Sequence, residues 1–158
     1  SNFYLHLTNN FDLLLKNINN SLNKNGFLIA TVPSNNSLIE LKDCMIQADI
    51  KLYGGSYCRF MKYHSINDIS KILNKYNYEI PVIELDTIQI RYTTCNSLLN
   101  DIRHLGNTNI YNDRKKKFEN KKYFKNVEEI YWQKYSNNNK LILQTEIIYL
   151  SGWKDTNK

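Results

Sequence analysis

Arginine stands only at Arg59, Arg91, Arg103 and Arg114 in this chain, so each is worth weighing as a binding group. A guanidinium grips a carboxylate or a phosphate through two parallel hydrogen bonds. Arg59, just ahead of a helix, is placed to do this; pairing with a local Asp is the other reading of the same residue. Arg91 and Arg103 flank helices that lie between the last two strands, where a solvated charge is the simpler role. Lys115-Lys116-Lys117 and Lys121-Lys122 form a basic run that could touch an acidic protein, although such runs usually are solvated faces. His64 and His104 have no partner at metal-ligand spacing, so no metal is expected. No Ser-His-Asp or Cys-His set is present. The Gly54-Gly55 pair follows a helix instead of joining a strand to one, so it cannot form a phosphate-binding turn. Residue types alone leave the catalytic group unknown.

The charge balance narrows the classes further. Lys+Arg 21 against Asp+Glu 15 gives a net charge of +6 over 158 residues. Asn, Ile, Lys and Tyr are all abundant, which is the bias of an AT-rich genome, and scattered lysines do not make a nucleic-acid footprint. An acidic partner stays open; a nucleic acid is not expected. Cys44, Cys58 and Cys95 are odd in number and widely spaced. They read as reduced thiols, neither a disulfide framework nor a zinc site. No run reaches the ~20 apolar residues of a membrane span, and the first residues lack a signal-peptide pattern. A cytoplasmic location follows as the default.

These candidates must be positioned by an α/β framework. Gly26 to Pro33 is apolar on both faces, which suits a central strand buried on both sides, as in a parallel sheet. Before it, Phe11, Leu14, Leu15, Ile18 and Leu22 make one helical stripe that ends at Asn25-Gly26, with the glycine as a left-handed cap. A second helix runs from Leu38 to about Ile50, and Tyr53 to Ser56 break it. Ser65 to Asp68 resembles a capping box opening a third helix along Ile66, Ile69, Ile72, Leu73 and Tyr76. Ile80 to about Thr93 is β-prone, with Pro81 limiting its start to an edge or a turn. Asn96 to His104 is helical and stops at Gly106, Asn107 to Lys117 is a polar basic loop, and Tyr123 to Tyr135 marks the last helix. Tyr131, Trp132 and Tyr135 read as its core and rim. Ser136 to Asn139 is a turn, and Leu141 to Leu150 is the final strand. Three or four strands make a small sheet for so many helices. The chain therefore reads as the back half of a larger doubly wound domain.

The motifs in order resemble a known family. Leu5-His6-Leu7-Thr8-Asn9 is similar to the Leu-His-Trp-x-Asn element after the fourth strand of certain class I S-adenosylmethionine-dependent methyltransferases. Leu22 to Leu28 is similar to their Leu-Lys-Pro-x-Gly step into the fifth strand, and Ser37-Leu38-Ile39-Glu40-Leu41 to their Ser/Thr-Leu-x-Glu-Leu helix start. Arg59-Phe60, Ser65 to Ile69, Arg103 to Asn109 and Ile147 to Lys154 follow the same pattern. Together they resemble the branch that holds the malonyl-acyl-carrier-protein O-methyltransferase of biotin synthesis and a mitochondrial complex I assembly factor, the latter associated with arginine hydroxylation. The resemblance implies the carboxyl-terminal half of a Rossmann-like fold in one partial domain, 1–158, with a small mixed sheet and a helical lid at about 94–136.

It also implies S-adenosylmethionine as cofactor. Leu5, His6 and Leu7 would sit at the cofactor edge, although Leu7 stands where the family has an aromatic, and a partly buried structural His is an equal reading of His6. Arg59, Arg91 and Arg103 would lie on the substrate and lid side. The family's glycine-rich turn and acidic ribose-binding residues would all precede Ser1, so this chain is not expected to bind the cofactor unaided. A carrier protein or a respiratory-complex subunit would be the acidic partner. The open sheet edge predicts self-association. A non-enzymatic assembly or binding protein that retains the fold is the alternative.

Overall fold

The computed structural model describes residues 1–105, 114, 115 and 117–155. The chain divides into two compact units. The first joins Ser1–Ser37, Lys62–Ile88 and Glu146–Lys158, and the second joins Leu38–Met61 and Gln89–Thr145.

In the first unit, α1 (Phe11–Ser21) begins where the Asn10 side chain accepts from the Leu13 amide, satisfying a donor that the first turn cannot pair. Helix α3 (Ile66–Lys75) opens with the expected capping box, Ser65 and Asp68 each bonding the other's backbone amide. Strand β1 (Phe27–Pro33) lies antiparallel to β4 (Lys140–Lys154), with Phe27 opposite Trp153 and Pro33 opposite Ile147. Leu5, Phe11, Leu15, Leu28, Ala30, Val32, Ile69, Leu73, Tyr78, Ile148 and Leu150 form this unit's core.

The strand order is β1-β4-β2, with β2 (Tyr78–Tyr92) at one end and the short β3 (Ser136–Asn137) paired to β4. The central strand is therefore β4, and β1 ends the path. Nor is β1 buried on both faces, because Leu28, Ala30 and Val32 are covered while Ile29 is 62% exposed and Phe27 43%. The described residues of this unit supply a core for one face of the strand only, so alternate side chains stay in solvent. On its outer edge β1 meets a single parallel bridge, Asn2 to Thr31, with the Phe3 amide donating to the Thr31 carbonyl at 3.0 Å. The β1–β4 and β3–β4 pairs are antiparallel, not parallel as the apolar run of β1 suggests, and Asn2 adds one isolated parallel bridge.

A second correction concerns the turn before β1. The left-handed residue is Asn25, at φ 61°, not Gly26. Glycine is needed at 26 because a Cβ there would lie 2.8 Å from the Asn23 carbonyl oxygen and 2.9 Å from Leu22 Cβ.

The second unit is built on α2 (Ile39–Tyr53), α4 (Cys95–His104) and α5 (Lys121–Lys134). Their buried faces meet through Leu41, Cys44, Ala48, Leu98, Ile102, Tyr123, Val127 and Tyr131, joined by Leu141 and Leu143 of β4. Gly54, at φ 74°, ends α2 as a left-handed cap, a position glycine adopts without strain. β3 and β4 form a tight hairpin across Asn138 and Asn139, which both have positive φ, as a hairpin turn matched to strand twist requires. The expected stop of α4 at Gly106, and most of the loop from Asn107 to Lys117, lie outside the described residues.

Candidate functional site

The second unit brings ionic and aromatic groups together at one place. Helix α2 presents Asp49 from a fully buried position. The segment after Gly54 carries Arg59 back over it, where Arg59 Nε donates to Asp49 Oδ2 at 2.7 Å, Nη2 donates to Oδ1, and Nη2 reaches Glu119 Oε1 at 2.6 Å. The guanidinium also lies 4.2 Å above the Tyr123 ring. The local carboxylate pairing is therefore the arrangement found for Arg59. Glu119 takes further bonds from Lys115 Nζ at 2.6 Å and from the Tyr53 hydroxyl at 2.6 Å. Lys115 Nζ in turn lies 3.7 Å from the Tyr53 ring centroid and 4.5 Å from that of Tyr57.

These contacts set the charge states. Burial on its own would raise the Glu119 carboxyl, but hydrogen bonds from Lys115, Tyr53 and Arg59 outweigh it and hold the group down at about 2. Burial likewise works against the charged form of Arg59, yet Asp49 and Glu119 push its pKa up, so the guanidinium stays charged. The Tyr53 phenol is raised chiefly by its bond to Glu119. Two cations and two carboxylates thus balance inside the wall. A buried pair of this kind is stabilising only when every member is hydrogen-bonded, which is the case here.

One face of this network borders a pocket of about 340 Å³. Leu41, Met45, Phe60, Leu99, Ile102 and Phe124 supply apolar lining, and Arg59, Arg103, Arg114 and Lys115 are its cations, Arg59 and Lys115 being paired with Asp49 and Glu119 of the wall; among the described residues no carboxylate lines it. Arg103 is exposed, and its guanidinium donates to the neutral Asn100 side chain at 3.2 Å. A concave apolar site with convergent cations suits an amphipathic anion. Arg59 and Arg103 therefore share a pocket. Arg91 does not line it; that side chain is exposed on β2, 3.5 Å from Gln89 Oε1.

The remaining candidates belong to the first unit. Leu5 and His6 are buried and Leu7 is half-buried. The His6 ring meets Phe3 edge-on at 6.2 Å and Tyr63 edge-on at 5.6 Å. Nearby in the chain, the loop after β1 is fastened to β4. Ser34 Oγ donates to Glu146 Oε2 at 2.8 Å, and Ser37 Oγ donates to the Glu146 carbonyl at 2.7 Å while accepting from its amide at 3.0 Å. Burial pushes the Tyr63 phenol up to about 12. None of the described glycines sits in a strand-to-helix turn.

Residue types gave no sign of Asp49, Glu119, Lys115, Tyr53, Tyr57 or Tyr123 as a group. The one available signal was Asp49, an acid on the face of α2 that also carries Leu41, Cys44 and Ala48.

The fold is that of methyltransferase-type α/β proteins. A Bacillus halodurans C-125 crystal structure, described as that of a candidate methyltransferase, superposes with a TM-score of 0.59 over 98% of this chain and 68% of that one, at 11% identity. Two sets of curated proteins are homologous to the chain. Arginine-hydroxylase NDUFAF5, mitochondrial, of Dictyostelium discoideum is 31% identical over 97% of this chain and 35% of that protein. Its human counterpart is 24% identical over 98% and 45%. The malonyl-[acyl-carrier protein] O-methyltransferase of Legionella pneumophila is 24% identical over 98% and 52%. The chain is thus related to both branches that its motifs resemble, and it spans about a third to a half of the length of these relatives. No protein-family model matches it.

Proposed function

We propose that the chain is the carboxyl-terminal, substrate-side portion of a methyltransferase-like protein, with its cofactor-binding half elsewhere. What supports this most is the strand order β1-β4-β2 together with the parallel approach of Asn2 to the outer edge of β1. Such an edge accepts a further parallel strand. Methyltransferase relatives make S-adenosylmethionine the family's cofactor. Leu5, His6 and Leu7 would stand at its edge in the complete protein, at the carboxyl end of a strand where doubly wound sheets bind ligands.

The helices at about 94–136 act as a lid, and their pocket takes the substrate. Arg103 holds an anionic group there while the apolar lining holds the rest; Arg59 shapes the wall, and Arg91 adds positive charge on the lid side, outside the pocket lining. Catalysis rests on positioning. To test this, methyl-labelled S-adenosylmethionine and malonyl-acyl-carrier protein are incubated with the longest gene product that carries this chain. Label in the acyl group, lost in Arg103→Ala, is expected. Label in no product would overturn the enzymatic reading.

A second reading keeps the fold without the reaction: an assembly or binding protein of the respiratory complex I type, with an acidic subunit as its partner. What favours it is the relative at 31% identity over 97% of this chain, NDUFAF5, against 24% for the O-methyltransferase. Cys44 and Cys95 are buried thiols outside any disulfide, which suits a reducing compartment such as the cytoplasm. The names of the relatives raise a mitochondrial placement instead. No helix of the described residues is long and apolar enough to cross a membrane. The exposed edge and face of β1 also favour self-association, and a strictly monomeric chain in sedimentation at micromolar concentration would contradict it.

A further inference from the structure

Beyond the substrate pocket, a second hollow of about 290 Å³ opens on α4 and α5. Cys95, Asn96, Leu99 and Arg103 line it from α4, and Lys121, Phe124, Lys125 and Glu128 from α5. The positions 96, 99 and 103 on one helix, and 121, 124, 125 and 128 on the other, each form a stripe at helical spacing. Leu99, Arg103 and Phe124 also line the 340 Å³ pocket, so the two hollows adjoin along one groove.

Glu128, three residues after Lys125, is the one carboxylate among the described lining residues, and at the amino end of α5 the charges run against the isolated helix. Lys121 and Lys125 are like charges four residues apart, which repel. They stand with Lys122 at the amino end of α5, whose first turn holds no acid, where the helix dipole disfavours cations. Among the described residues the ion pairs belong to Arg59, Lys75, Lys115 and Lys134; Arg103, Lys121 and Lys125 join none of them. In the neighbouring wall, by contrast, Arg59 and Lys115 are neutralised by Asp49 and Glu119. Local rules broken in this way mark positions kept for something outside the element. The groove floor is apolar and half-buried, through Leu99 and Phe124.

We infer that this α4–α5 groove is a docking surface for an acidic peptide segment of a partner protein, one that seats an apolar side chain between Leu99 and Phe124. Its carboxylates would meet Arg103, Lys121 and Lys125. Charge complementarity selects the occupant. A neutral apolar helix would leave the cations facing one another across a drier groove, whereas an acidic one relieves both the lysine repulsion and the dipole conflict. A rim of exposed cations acts mainly on association rate and weakens with salt. The inference rests on the acidic-partner side of the reading above and not on methyl transfer.

The test is fluorescence anisotropy on the 158-residue chain without S-adenosylmethionine, so it can fail or succeed independently of any reaction. The probe is a labelled peptide of about twelve residues, rich in Asp and Glu with one central Phe; the comparison is an oligothymidine of equal charge. Binding of the peptide is expected, weakened about tenfold or more by Arg103→Glu and by the double change Lys121→Glu, Lys125→Glu. Lys51→Glu, an exposed lysine of α2, makes the same kind of charge change away from the groove and should leave affinity unchanged. Reversing the α5 lysines favours the helix dipole, so thermal stability should hold or rise while binding falls; that contrast separates docking from folding. Failure of the peptide to bind, an equal loss in Lys51→Glu, or oligothymidine binding as tightly through the same residues would overturn the inference.

Discussion

At Glu119 burial is opposed by three groups that bond the carboxylate, Lys115, Tyr53 and Arg59. Its folded pKa of about 2 lies below its ordinary value of 4.5, so the folded state binds fewer protons than the unfolded one between those limits. The stabilisation is therefore complete above about pH 4.5 and is lost as pH falls toward 2. In urea titrations across that range, Glu119→Gln should flatten the acid limb of stability and lower the plateau near neutrality by about 1–3 kcal/mol. An unchanged acid limb would mean that the carboxylate is not held by these partners. Arg59 was legible in the sequence as a residue with two readings, and the local-Asp reading is the arrangement observed. Asp49 and Glu119 were not legible as its partners, because they lie ten and sixty residues away and only the packing of α2 brings them near.

At the scale of elements, Ser37 shows how a side chain can end a ladder. Pro33 opposite Ile147 is the last β1–β4 pair. Ser34 N then bonds the Glu146 carbonyl, and Ser37 Oγ takes both the amide and the carbonyl of Glu146. Ser37 is fully buried, so Ser37→Ala would leave backbone groups without partners. A loss of about 2 kcal/mol is expected from denaturant midpoints, against near-zero for Ser56→Ala at an exposed position. No change in Ser37→Ala would sink the ladder-end assignment. This gives a physical role to the Ser-Leu-x-Glu-Leu motif, whose Glu40 carboxylate also accepts from the Gln144 amide at 3.1 Å.

The helices were legible within one to three residues, because stripes and caps such as Ser65 and Asp68 are local. The hairpin at Ser136–Asn137 carries only a turn signal in the sequence, since a two-residue strand leaves no periodicity. The place of β1 escapes its sequence for the opposite reason. Its run of apolar residues says that burial is possible, but which face is covered depends on elements far away in the chain.

For the whole molecule, the fold of a methyltransferase-type protein and the motifs along the chain agree, and the relatives of both branches extend well beyond the matched length. The sequence made this much legible because many weak motifs keep their order. The groove and the buried ionic wall stayed hidden because each joins residues from separate elements. The central claim is that the substrate side of such a protein is present here without its cofactor cradle. Calorimetric titration of S-adenosylmethionine tests it most directly, first into the 158-residue chain and then into the longest gene product that carries it. No heat of binding to the chain, and saturable binding to the longer product, is the predicted result. Saturable binding to the 158-residue chain would contradict it and would place a cofactor site among residues assigned here to the core and the lid.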